Sequence, residues 1–200
     1  GQLELAGDER IQEYPPRALT GYETLVEGHG VFCVTTGIVY GGSSPSNAFD
    51  TSLSSYWHSP LTYNADTGVY EGSRGMGGFA GEWIGLKMPY KTQITTISLQ
   101  PRATWAERTL HEGVLLGANN SEYWEVVKHF SGVIFSSDTE VKYLNVDSNN
   151  YYSNYVLVIT KTYAIPGTTN GRSNSVQHSN IRFFGTPGPT TLDKGSLSLG

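Results

Sequence analysis

The strongest constraint on this chain is the spacing of its apolar residues. They fall in short runs, many of which alternate between apolar and polar positions, and each run stops at a cluster of Gly, Asn, Ser or Pro. The runs cover 31–39, 82–88, 92–99, 113–117, 124–130, 141–146, 155–160 and 180–184. Ile84, Leu86 and Met88 share one face, as do Trp124, Val126 and Phe130, and again Tyr155, Leu157 and Ile159. Successive side chains of an extended strand point to opposite faces, so this spacing predicts half-buried strands. No segment carries an apolar stripe of helical period. Many short strands with turn punctuation predict an all-β chain, folded as a sandwich or a barrel.

A chain of 200 residues suits one such domain and can bury a core without covalent staples. The 24 Gly and 13 Tyr agree with many turns joined by aromatic strands. The formal net charge is -5 and no Lys/Arg run occurs, which argues against nucleic acid or an anionic membrane surface as partner. No stretch approaches the ~20 consecutive apolar residues of a spanning helix, so no membrane insertion is expected. The single cysteine, Cys33, lies in the run Val31-Phe32-Cys33-Val34 and reads as a small buried hydrophobe.

Residues 1–13 read as a polar lead-in, 14–186 as the domain, and 187–200 as a linker toward a further module. Gly1 and Gly200 look like cut points, so other domains of the same longer chain are expected as partners. Two polar stretches, 58–81 and 161–179, are too long for tight turns, and long loops on a compact scaffold usually carry function.

The order of several short motifs is more specific. Tyr14-Pro15-Pro16-Arg17-Ala18-Leu19-Thr20-Gly21 leads into the first run; Ala48-Phe49-Asp50-Thr51-Ser52-Leu53-Ser54-Ser55-Tyr56-Trp57 follows. Then come Gly81-Glu82-Trp83-Ile84-Gly85-Leu86, Gln100-Pro101-Arg102, and Val114-Leu115-Leu116-Gly117-Ala118-Asn119-Asn120 ahead of Trp124. Tyr155-Val156-Leu157-Val158-Ile159 and Asn180-Ile181-Arg182-Phe183-Phe184-Gly185 close the series. In this order they resemble the discoidin-like, coagulation factor 5/8 type C family, which includes the family 32 carbohydrate-binding modules. The Tyr-Pro-Pro opening resembles domains on large viral or marine microbial surface proteins. The resemblance implies an antiparallel jelly-roll β-sandwich that binds glycans through loops at one end, and often a structural calcium ion. It also implies an extracellular, cell-surface or virion-surface location. Two positions depart from the family: Thr51 stands where Gly is usual, and Asn180 where a calcium-ligating Glu is usual.

Sugar recognition needs an aromatic ring for the C–H face of a pyranose and directional donors and acceptors for its hydroxyls. The best match is 101–108, where Arg102 and Trp105 sit among polar neighbours; Trp105 is expected to stack on the ring and Arg102 to read hydroxyls. The two long loops add His58, Tyr63, Tyr70 and Arg74, and Tyr163, Arg172, Asn174 and His178. Trp57, Trp83 and Trp124 are expected in the core. For calcium the candidates are Asp50, Ser52 and Ser55, with Asn180 in place of the family Glu; without an ion, Asp50 would close an Asx turn. No catalytic set is expected: no acid pair has an arguable placement, no Gly-x-Ser-x-Gly occurs, and the five His show no zinc-binding spacing. The alternative to a glycan-binding domain is a structural or protein-interaction spacer. Asn119-Asn120-Ser121 reads as a chance glycosylation sequon.

Overall fold

The structure, a computed structural model, describes residues 2–5, 10–120, 122–165 and 172–193. Among them the strands are β1 (Gln2–Leu5), β2 (Gln12–Tyr14), β3 (Glu23–Val26), β4 (Gly30–Thr36), β5 (Trp57–His58), β6 (Gly75–Met76), β7 (Phe79–Ala80), β8 (Glu82–Pro101), β9 (Leu110–Ala118), β10 (Glu125–Phe130), β11 (Lys142–Asn145), β12 (Tyr152–Thr162), β13 (Gln177–Pro187) and β14 (Thr190–Asp193). The helical element among the described residues is a 3₁₀ turn, Pro45–Phe49, started by Ser44, whose hydroxyl accepts from the Ser46 N–H. All strand pairings are antiparallel.

The fold turns on β8. The runs 82–88 and 92–99, read from sequence as two strands, form one strand of 20 residues. Its first half lies between β12 and β4, with Leu86 opposite both Tyr155 and Val34. Its second half lies between β11 and β13, with Leu99 opposite Lys142 and Ile181. One strand therefore serves both layers of a sandwich. The first layer runs β10-β9-β12-β8-β4-β3; the second is β11-β8-β13, with β2 and β5 on the far edge of β13. Exposed Pro89, which cannot donate to a ladder, stands between the halves.

The core lies between the layers, as the alternation predicts. Ile84, Leu86, Leu115, Tyr155, Leu157 and Ile159 from the first layer meet Ile97, Leu99, Ile181 and Phe183 from the second, and Phe49 and Trp57 close one side. The Tyr155 and Phe183 rings are 5.9 Å apart. Sequence spacing fails in β10. A bulge between Val126 and Lys128 reverses the alternation, so Val126 lies opposite outward-facing Leu116 and is 46% exposed, while Phe130 is buried.

The stretch 58–81 is packed rather than loose. Its anchor is the Glu82 carboxylate, 0% exposed. Glu82 Oε1 accepts from the Thr62 hydroxyl at 2.8 Å, the Tyr70 hydroxyl at 3.1 Å and Arg74 Nη2 at 2.7 Å, so a buried charge is paired and bonded as burial requires. Cys33 is a free thiol, half-buried rather than in the core. The flanking segments also carry strands. Gln12 and Glu13, placed by sequence in the lead-in 1–13, pair with β13, and β1 pairs with β14 from the tail 187–200. Residues 194–200 of that tail lie outside the described residues, as do 166–171 of the 161–179 loop and Ser121 of the sequon.

Candidate functional site

The sandwich end where β8 stops and β13 starts gathers the charged and aromatic loop residues. After Pro101 the chain makes two successive turns, with the Trp105 N–H donating to the Arg102 carbonyl (3.0 Å) and the Arg108 N–H to the Trp105 carbonyl (3.1 Å). Thr104 takes a left-handed φ of 70°, and its N–H is held by Asp138 Oδ2 at 2.6 Å. Gln177 straps this segment to β13: its carbonyl accepts from the Arg102 N–H (3.4 Å) and its N–H donates to the Arg108 carbonyl (2.7 Å).

The side chains converge on the same strap. Arg102 Nη1 donates to Gln177 Oε1 at 2.8 Å, and the guanidinium lies over the Tyr56 ring at 3.9 Å. The Gln177 amide donates to His58 Nε2 at 2.8 Å, and His58 Nδ1–H donates to the Ser59 carbonyl at 2.6 Å, which fixes the neutral tautomer. Burial holds the His58 pKa below its ordinary value, and Arg108 and Arg102 lower it further. Tyr40, 51% exposed, stacks on the His58 ring at 4.7 Å. The structure thus joins Arg102, Trp105, His58 and Arg172 of the predicted set and adds Tyr40, Tyr56, Arg108 and Gln177. Tyr56 was legible as the outward neighbour of buried Trp57. Gln177 was not, because only the register of β13 against β5 sets it opposite His58.

Trp105 needs a correction as a stacking platform. The guanidiniums of Arg108 and Arg172 lie 3.7 Å and 4.3 Å from its ring centroid, where a sugar ring would stack. Arg172 is fixed there by an ion pair with Glu107 and by Nη2 donating to the Thr104 carbonyl at 2.8 Å; Arg108 Nε donates to the Arg172 carbonyl at 2.7 Å. Cation–π contact with the loop arginines engages the Trp105 ring at this position.

Tyr63 is also corrected. It is 3% exposed, its hydroxyl donates to the Ile159 carbonyl at 2.7 Å and accepts from the Glu82 N–H at 3.0 Å, and burial pushes its pKa well above the ordinary range. Tyr63 holds the 58–81 segment to the core. Tyr163 lies against His111, with ring centroids 5.4 Å apart. The Asn174 carbonyl accepts from the Tyr63 N–H, and its side-chain Oδ1 is buried without a hydrogen bond.

At the calcium candidate, Asp50 Oδ1 accepts from the Ser52 N–H at 2.9 Å and Oδ2 from the Ser55 hydroxyl at 2.5 Å. These bonds close the loop as an Asx turn, with Thr51 at a φ of 64° where the family has Gly. Lone pairs remain on the carboxylate, and Asn180 Oδ1 is buried without a donor. By donor type this all-oxygen set fits a hard cation. Among the described residues no group of three or more His, Cys, Asp or Glu could hold a metal, so amide, hydroxyl and carbonyl oxygens would have to complete the shell. Two residues beyond Asn180, buried Arg182 donates to the Phe49 carbonyl at 3.4 Å and pairs with Glu13 at 3.1 Å.

A groove of about 480 Å³ opens on the outer face of the first layer, lined in part by Trp83, Trp124, Met76, Lys87, Asn120 and Asn154. Trp83 and Trp124, expected in the core with Trp57, instead pack half-buried on a second apolar cluster with Val114, Leu116, Val156 and Val158. Period two assigns a residue to a face but not to the inner one, and a strand packed on both faces defeats the inference.

No family model matches the chain, and no curated protein matches it in sequence. Solved structures do match in fold. The family 32 module of NanJ from Clostridium perfringens, solved with galactose, is 12% identical with a TM-score of 0.54, over 76% of this chain and 93% of that one. The module CpGH89CBM32-5 from Clostridium perfringens, in complex with GalNAc-β-1,3-galactose, is 11% identical with a TM-score of 0.54, over 76% and 94%. CBM62 from Clostridium thermocellum Xyl5A is 20% identical with a TM-score of 0.52, over 78% and 94%. The chain therefore has the galactose-binding-like, discoidin-type β-sandwich fold expected from its motifs.

Proposed function

We propose that this domain is a non-catalytic glycan-binding module that takes sugar at the sandwich end around Arg102. The observation that carries the reading is the Arg102 guanidinium, which lies over the Tyr56 ring and, among the described residues, engages one of its five donors, on Gln177. A fixed fork with free donors beside the exposed ring of Tyr40 has the polar and apolar parts a pyranose needs. The fold likeness to modules solved with galactose and GalNAc-β-1,3-galactose supports the same reading. His58 orients Gln177, and Trp105 positions the arginines rather than stacking on sugar. Such a domain would work at a cell or virion surface as part of a longer chain, where several copies multiply weak single-site binding. A broad glycan array, followed by calorimetry on the best ligand, tests this. Arg102→Ala should abolish binding and leave the thermal melt unchanged; binding that survives Arg102→Ala would place the site elsewhere.

The loop at Asp50 is proposed to take one structural calcium ion through Asp50, Ser52, Ser55 and Asn180, supported by the unpartnered Asn180 oxygen. An ion bound only by the folded form raises the melting temperature. Calcium should therefore raise it, chelator should reverse the rise, and Asp50→Ala should remove the response; a melt indifferent to calcium in the unmodified protein rejects the ion.

A second reading, a protein-interaction spacer, is favoured by the groove at Trp83, Trp124 and Met76, because exposed apolar patches mark contact surfaces. It takes over if the intact domain binds nothing on the array.

A further inference from the structure

We propose that the saccharide taken at the Arg102 end is anionic, carrying a carboxylate or a sulfate, and that Arg102 is the residue that selects it. This rests on the reading of that end as a glycan site.

The chain as a whole is acidic, with 18 Asp and Glu against 13 Lys and Arg. The sandwich end reverses that sign. Three guanidiniums surround one indole: Arg108 at 3.7 Å, Arg172 at 4.3 Å and Arg102 at 5.9 Å from the Trp105 ring. Two carboxylates stand at this end, and one of them is paired with an arginine. Glu107 pairs with Arg172, and Asp138 holds the Thr104 N–H. His58 adds no compensating negative charge and is kept neutral.

The three arginines are not equivalent. Arg108 and Arg172 direct donors at the backbone carbonyls of Arg172 and Thr104, so they brace the loop. Arg102 is bonded through its side chain to the neutral Gln177 amide and lies on the neutral Tyr56 ring. Among the described residues no acid pairs with it. Like charges held close raise one another's energy, and Arg108 registers this: burial first, then Arg102, pull its pKa below its ordinary value. A ligand anion at Arg102 relieves that repulsion and gains a forked, charge-assisted bond, which a neutral hydroxyl cannot supply to the same degree. The site is partly open, with the Arg172 side chain 39% exposed, so the preference must weaken as salt screens it.

The test compares D-galactose, D-galacturonate and D-galactose 6-sulfate by calorimetry or amide-shift titration, at low salt and at roughly 0.5 M salt, where screening acts within a few ångströms. At low salt at least one acidic probe should bind about tenfold more tightly than galactose, and the ratio should shrink in salt. The carboxylate and sulfate arms show which anion is read. Arg102→Gln, which keeps a polar side chain, should remove the ratio while the melt is unchanged. If galactose binds as tightly as both acidic probes, or the ratio ignores salt, the anion reading is wrong and the glycan site stands. If none of the three binds and the array is blank, the glycan reading falls with it.

Discussion

Acidification should destabilise this protein, and the buried His178 should account for a separable share of the loss. His178 on β13 is fully buried, donates from Nδ1 to the Gln100 carbonyl at 3.0 Å and accepts the Leu110 N–H at Nε2 at 3.3 Å. Both ring nitrogens are thus used in the neutral form. Burial lowers its pKa from 6.5 to about 4. The unfolded chain therefore binds a proton as pH falls through 6.5, whereas the folded chain resists until about 4. Stability is complete above 6.5, declines through that interval and levels off below it. The gap is worth about 3 kcal/mol, at roughly 1.4 kcal/mol per pH unit. For a chain of this size that is roughly 6–12 °C in melting temperature. Carboxylates titrate in part of the same window, so the measurement is a difference. Denaturant melts across the window are run on the unmodified protein and on His178→Gln, whose amide can keep both bonds. The variant should be less stable at neutral pH but should lose about 3 kcal/mol less on acidification. Nuclear magnetic resonance titration of the His178 ring gives the same quantity directly. Parallel pH profiles for the two proteins, or a ring that titrates near 6.5, would refute the argument.

Two further outcomes test the scaffold. Glu82→Gln breaks a buried carboxylate away from Arg74, Tyr70 and Thr62, and should cost about 3 kcal/mol in chemical unfolding and speed proteolysis within 58–81; a loss under about 0.5 kcal/mol would mean the segment is held otherwise. Gly185→Ala places a Cβ 1.9 Å from the Gln93 carbonyl at the β13 bulge and should cost about 3 kcal/mol, while Gly42→Ala, with nothing within 4 Å, should be neutral; similar melts for the two variants would contradict the register of β13 on β8.

What the sequence determined by itself was the kind of fold and most of its core. Alternation at Ile84, Leu86, Met88, Tyr155, Leu157 and Ile159 depends only on the two-residue repeat of a strand and on the gain from burying apolar surface, and all six face the core. Arg102 and Trp105 were legible as a loop-end pair because polar company beside an aromatic residue is itself a local signal. Facts that require a partner in space were decided by tertiary structure. Nothing near Pro89 says that one strand continues into both layers, and nothing near Val126 announces the bulge that turns it outward. Tyr63 looks like a loop aromatic until Glu82 and Ile159 are folded against its hydroxyl. Trp105 looks like a platform until Arg172, 67 positions along the chain, is brought over its ring. Local spacing fixes which way a side chain points along its own strand; only the fold fixes what it meets there, and at this sandwich end what Trp105 meets is charge.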